Sequence, residues 1–102
     1  MKTFSSCLAT LIVLTSGLAA AQNADVQARA WAASCAACHG TQGQGASTGI
    51  PSLAGQSQAA LLQKLLAFKR DQLPATVMHQ HAKGYTDAEL ERIAAHFAQQ
   101  SR

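Results

Sequence analysis

The sequence predicts an all-α chain, and three observations carry that expectation. Apolar residues recur at helical spacing across residues 57–70 and 86–99. Residues 25–37 are rich in alanine, the strongest helix former. No stretch has the two-residue alternation or β-branched richness of a strand.

The chain has 102 residues and opens on a leader pattern. Met1-Lys2 gives a short basic start, Leu8 to Leu18 an apolar run, and Ala19-Ala20-Ala21 a small-residue cleavage site. Residues 1–21 are therefore expected to be a cleaved signal peptide, and residues 22–102 a single domain. The apolar run is too short for a stable membrane span. Cys7 lies inside the leader and would leave with it. The remaining domain is small enough that its own core is marginal, so it needs a staple.

The elements follow in order. Residues 25–37 predict a first helix, with Asp25 near its start, where the helix dipole favours an acid. Trp31, one turn before Cys35, reads as a core residue, with contact to a bound group as the alternative. Residues 40–51 (GTQGQGASTGIP) read as a loop, in which glycines permit a tight path. They do not match the phosphate-cradling G-x-x-x-x-G-K-[ST] pattern. Residues 57–70 predict a second helix, N-capped by Ser57, with Leu61, Leu62, Leu65, Leu66 and Phe68 on a broad apolar face. Residues 71–84 are expected to be irregular, because Pro74 breaks any continuing helix. Residues 86–99 predict the last helix. Thr86 and Glu89 form a capping box there, and Leu90, Ile93, Ala94 and Phe97 lie at i, i+3, i+4 and i+7.

Residues 35–39 read Cys35-Ala36-Ala37-Cys38-His39. Two cysteines three apart, with a histidine directly after the second, form the attachment signature of a c-type haem. On a helical turn residues i and i+3 share a face, so both thiols can form thioethers with the vinyl groups of one porphyrin. His39 is then placed to give an imidazole nitrogen to the iron. The two alanines keep bulk away from the ring. Structural zinc would want a second Cys/His pair. A thioredoxin-like pair expects a strand before its helix, and a disulfide across one helical turn has poor geometry. One covalent haem per chain, held by Cys35 and Cys38, is the reading retained. Covalent haem attachment in bacteria takes place outside the cytoplasm, which agrees with a leader and a periplasmic location.

The opposite side of the iron decides the chemistry. Beyond the leader the sole methionine is Met78, in the segment after Pro74. A methionine flanked by polar residues has no evident packing role, and a thioether ligand favours electron transfer over oxygen chemistry. His79 and His81 are the rival ligands, and an open site is the third possibility. His96 reads as a surface or interface histidine.

Charge excludes another class of function. Lys2 leaves with the leader, so seven Lys and Arg residues face five Asp and Glu. Two haem propionates would offset that excess, which argues against nucleic-acid binding. Lys64, Lys69 and Arg70 read as a solvated helix face, with a steering patch for a redox partner as the alternative.

Taken together, CAACH, the Gly-rich loop with Pro51 and Leu53, the methionine segment and the C-terminal amphipathic helix resemble the class I cytochromes c, over nearly all of residues 22–102. The segments IPSLAGQ (50–56) and M-x-x-x-AKGYTDAEL (78–90) look like the small bacterial periplasmic members. The second is similar to the cytochrome subunit of flavocytochrome c sulfide dehydrogenase. The resemblance implies short helices packed around one haem, with His39 and Met78 as axial ligands. It further implies that the Pro51 carbonyl accepts from His39, that Leu53 packs on the haem, and that the first and last helices cross at Phe97. The implied function is one-electron transfer without bond-making catalysis. Partners would be redox proteins, including a flavoprotein sulfide dehydrogenase subunit that would carry the flavin. A free-standing carrier to a terminal oxidase or reductase, and a haem sensor or enzyme with a labile sixth ligand, are the alternatives.

Overall fold

The computed structural model describes residues 15–45 and 48–102, with side chains from residue 26 onward. The expected basic start and most of the apolar run of the leader fall outside the described residues. Four helices and one 3-10 turn make up the regular structure that is described. They are α1 (Thr15–His39), the 3-10 turn (Thr41–Gly43), α2 (Gln58–Lys69), α3 (Met78–Lys83) and α4 (Asp87–Ala98). No strand occurs among the described residues.

Helix α1 differs from expectation at its start. It begins at Thr15 rather than near residue 25, so Asp25 lies inside the helix and not in its first turn. The alanines that suit a cleavage site also suit a helix, and nothing between residues 15 and 25 breaks one. At the other end it runs through His39, so Cys35, Cys38 and His39 occupy the last two turns of one rigid element.

Helix α2 begins as the sequence predicts: the Ala60 N–H donates to Ser57 Oγ at 3.1 Å. It ends in a Schellman arrangement. The Asp71 N–H donates to the Phe68 carbonyl at 3.1 Å, and the Gln72 N–H to the Ala67 carbonyl at 2.8 Å. Asp71 accordingly adopts the left-handed conformation, with φ 57°.

The segment 71–84 is not irregular throughout. Residues 78–83 form α3, so Met78 opens a short helix rather than sitting in a loop. Pro74 does end the preceding path, but no breaker follows it before Gly84. Packing of α3 against α2 supplies what the local sequence lacks. Helix α4 has its capping box: the Glu89 N–H donates to Thr86 Oγ1 at 3.2 Å, and the Thr86 N–H donates to the Glu89 carboxylate at 2.7 Å.

Helix α4 is the centre of the packing, against α1 on one side and α2 on the other. Leu90, Ile93, Ala94 and Phe97 are all buried, as their helical spacing predicts, and they meet Ala32 and Cys35 of α1 and Leu61 of α2. The loop closes on this core at Gly43, whose φ is 76° and whose missing Cβ would lie 2.7 Å from the Phe97 ring. The Gly43 carbonyl then accepts from the N–H groups of Leu53 and Ala54, at 2.7 and 2.9 Å, and from Ser52 Oγ at 2.9 Å.

Three ion pairs among the described residues join the ends of the elements. Lys69 Nζ lies 2.7 Å from Asp87 and also donates to the Tyr85 carbonyl, while Lys83 Nζ lies 2.7 Å from Asp71. Arg70 reaches the same Asp87 carboxylate at 3.4 Å. Lys69 and Arg70 are thus tied to the start of α4 and do not form a free cationic face. The hydrogen bond from Lys83 holds Asp71 below the usual carboxylate range, and the one from Lys69 does the same for Asp87.

Phe97 is 2 % exposed and is ringed by core side chains. Phe97→Ala should therefore lower the unfolding free energy by about 3–5 kcal/mol in a denaturant titration. The ion pairs set a direction with pH. A carboxylate whose folded pKa is depressed contributes stability above its unfolded pKa and loses it as pH falls through the folded value. Melting temperature should therefore drop below about pH 4, and by a smaller amount in Asp71→Asn/Asp87→Asn than in the parent protein.

Candidate functional site

The ends of α1 and α3 and the inner faces of α2 and α4 enclose a cavity of about 400 Å³. That size falls within the range of cofactor sites. Its wall is mainly apolar. Leu61, Leu65 and Phe68 come from α2, Ile93, Ala94 and Phe97 from α4, and Ile50, Pro51 and Leu53 from the loop. Cys35, Cys38 and His39 line it from α1, and Met78 and His81 from α3. The structure therefore brings together Cys35, Cys38, His39, Pro51, Leu53 and Met78, although they span residues 35–78.

The helical period places the α1 residues. Cys35 and Cys38 stand at i and i+3, one turn from the helix end. Both are free thiols; Cys35 is buried and Cys38 exposed. Burial pushes the Cys35 thiol above its ordinary value, with the Ser34 hydroxyl acting in the opposite sense. A thiol kept in this apolar wall is poorly ionised and packs as an apolar group.

His39 is 9 % exposed, and its Nδ1 lies 2.7 Å from the Pro51 carbonyl. A carbonyl only accepts, so Nδ1 carries the proton and donates. With Nδ1 as the donor, Nε2 is the nitrogen left to offer a lone pair. This is the tautomer that a metal-ligating histidine requires, oriented by a backbone acceptor.

On α3 the three candidate ligands separate. Met78 and His81 line the cavity at i and i+3. His79 does not line it; its Nε2 lies 2.5 Å from the Leu73 carbonyl, and its ring meets Phe68 edge-on at 6.2 Å. His81 has polar neighbours of its own. Its Nε2 lies 3.4 Å from Ser34 Oγ, which is 2.8 Å from the Tyr85 hydroxyl.

Several lining residues were not legible as site residues. Ser34, Gln56, Lys64 and Thr76 supply polar edges to the cavity. Lys64 Nζ reaches Gln56 Oε1 at 3.4 Å, so it belongs to the rim and not to a basic stripe. The i, i+4, i+7 stripe of Leu61, Leu65 and Phe68 was the available signal for the α2 wall, and it is a different stripe from the one through Leu62 and Leu66. Trp31 does not line the cavity; it packs against the core, with the Arg92 guanidinium 4.7 Å from its ring centroid. His96 lies against Phe97, and burial, with Arg29 nearby, lowers its pKa.

A family model described as "Cytochrome C oxidase, cbb3-type, subunit III" matches residues 22–97. The chain belongs to this family of c-type cytochromes. It is 45 % identical over 69 residues to the cytochrome subunit of sulfide dehydrogenase from Chlorobaculum tepidum, covering 68 % of this chain and 62 % of that one. It is 38 % identical over 69 residues to cytochrome c-554(548) of Halomonas halodenitrificans, covering 65 % of this chain and 83 % of the other. It is also 37 % identical over 67 residues to the thiosulfate dehydrogenase electron acceptor of Stutzerimonas stutzeri, covering 63 % of this chain and 31 % of that protein. The chain thus spans less than two-thirds of the sulfide dehydrogenase subunit that it matches.

The cofactor of a c-type cytochrome is covalently attached haem. The residues present fit that group. Two free thiols, an imidazole in the ligating tautomer and a thioether all meet one apolar cavity. No helix among the described residues is long and apolar enough to cross a membrane.

The cytochrome Cys35→Ala/Cys38→Ala should carry no covalent tetrapyrrole by mass spectrometry. With its cavity unfilled, it should also show weaker helical circular dichroism and a less cooperative melt than the parent protein.

Proposed function

We propose that this cytochrome transfers single electrons between redox proteins and catalyses no bond-making reaction itself. The observation that carries the reading is the meeting of Cys35, Cys38, His39 and Met78 in one apolar cavity. Haem c, when bound, supplies one reversible electron at its iron.

The protein's own groups do the rest. Cys35 and Cys38 would hold the ring through thioethers. His39 Nε2 would bind the iron, with the imidazole kept in orientation by the Nδ1–H bond to Pro51. Met78 Sδ would be the second protein ligand. Leu53 and its apolar neighbours exclude water, which limits reorganisation on charge transfer. Two ligands supplied by the protein would leave no coordination position for substrate, which favours transfer over catalysis.

Met78 is preferred over His79 because His79 is turned to the Leu73 carbonyl. His81 also lines the cavity, and Met78 is preferred over it because a thioether ligand suits electron transfer. The likeness to a sulfide dehydrogenase subunit and to a thiosulfate dehydrogenase electron acceptor supports electron donors from sulfur oxidation. A flavoprotein sulfide dehydrogenase chain is the partner proposed. The leader pattern in residues 1–21 supports action in the periplasm.

Met78→Ala should abolish the sulfur-to-iron band at the red end of the visible spectrum, and the reduced variant should bind carbon monoxide. An unchanged low-spin spectrum with that band retained would exclude Met78; an absent band in the parent protein would favour His81. The partner reading is checked by native co-purification, in which a flavin-bearing chain should accompany the cytochrome.

A further inference from the structure

Helix α3 has little local reason to form. It is six residues long, far below the length at which a helix holds by itself. Its N-cap is Val77, which makes no capping hydrogen bond and is 63 % exposed. Something outside the helix must keep its inward stripe, Met78 and His81, against the cavity.

The outward stripe is fastened. His79 and Lys83 stand at i and i+4, so they share the other side of α3. His79 bonds the Leu73 carbonyl. Lys83 Nζ donates to both oxygens of Asp71, at 2.8 and 2.7 Å. This pair closes the segment 71–83 into a loop, with Met78 inside it.

Asp71 occupies an unusual position for an acid. It is the residue just past the end of α2, with φ 57°, where glycine is the common choice. Aspartate tolerates that conformation less well than glycine. The backbone motif needs no carboxylate there. What the carboxylate does is receive Lys83.

We propose that Asp71 and Lys83 form an ionic clamp that keeps Met78 seated, making both of them positioning residues for the sixth ligand. The clamp rests on the reading of Met78 as that ligand. An exogenous ligand can reach the iron only when Met78 has left. Its apparent affinity is therefore scaled by the fraction of molecules with the segment open. An exposed ion pair changes such a fraction modestly, by about two- to five-fold.

The test is imidazole titration of the oxidised holoprotein, followed by the sulfur-to-iron band, in the parent protein and in Asp71→Asn, Lys83→Gln, the double variant and Lys83→Arg. Asparagine tolerates the left-handed conformation, so Asp71→Asn removes the charge and leaves the turn. Each neutral single variant should bind imidazole about two- to five-fold more tightly. The double variant should be no tighter than either single one, and Lys83→Arg should behave as the parent. High salt should raise the parent's affinity and leave that of Asp71→Asn unchanged. A thermal melt runs alongside, because a merely structural pair would lower the melting temperature without changing imidazole affinity. Unchanged affinity in both single variants, or additive effects in the double variant, overturns the clamp alone. Absence of the sulfur-to-iron band from the parent protein overturns the Met78 assignment, and the clamp with it.

Discussion

Leu61, Ile93, Ala94 and Phe97 belong both to the buried core and to the wall of the cavity, so the core of this cytochrome and its cofactor site are one surface. A small domain has a marginal core of its own. The helices therefore pack on one another along one side and leave the other side of the same residues facing a space of about 400 Å³. Covalent haem is the group that occupies such a space in this family. Stability and function then draw on the same contacts, and neither can be altered there without the other.

The two sides of the site are built differently. The His39 side lies at the end of a long helix, and Cys35 and Cys38 lie on the same two turns. A single hydrogen bond, from Nδ1 to the Pro51 carbonyl, then settles the tautomer. The loop that brings Pro51 there is itself anchored where Gly43 meets Phe97. The Met78 side has no such backbone support. Its helix is short and uncapped by side chains, and it is held by contacts along its outer face.

Membership of the c-type cytochromes extends over residues 22–97, from within α1 to the last turn of α4. The likeness to the cytochrome subunit of sulfide dehydrogenase and to the thiosulfate dehydrogenase electron acceptor is carried by relatives that are longer than this chain.

By itself the sequence determined the attachment motif, the all-helical class, both N-caps and the buried stripe of α4. Each of these depends on residues within one or two turns of one another. The alanine-rich start misled in one respect: the same small residues that suit cleavage also extend α1 back to Thr15. Only the tertiary structure decided that residues 78–83 are helical, because packing on α2 outweighs a weak local preference. It also turned His79 away from the cavity, towards the Leu73 carbonyl, and set Met78 and His81 together on the side of α3 that lines it. Lys69, Arg70 and Asp71 were likewise undecided locally, since their partners lie twelve or more residues away. Short-range order is written in neighbouring side chains, whereas the choice of ligand depends on which distant surfaces fold against them.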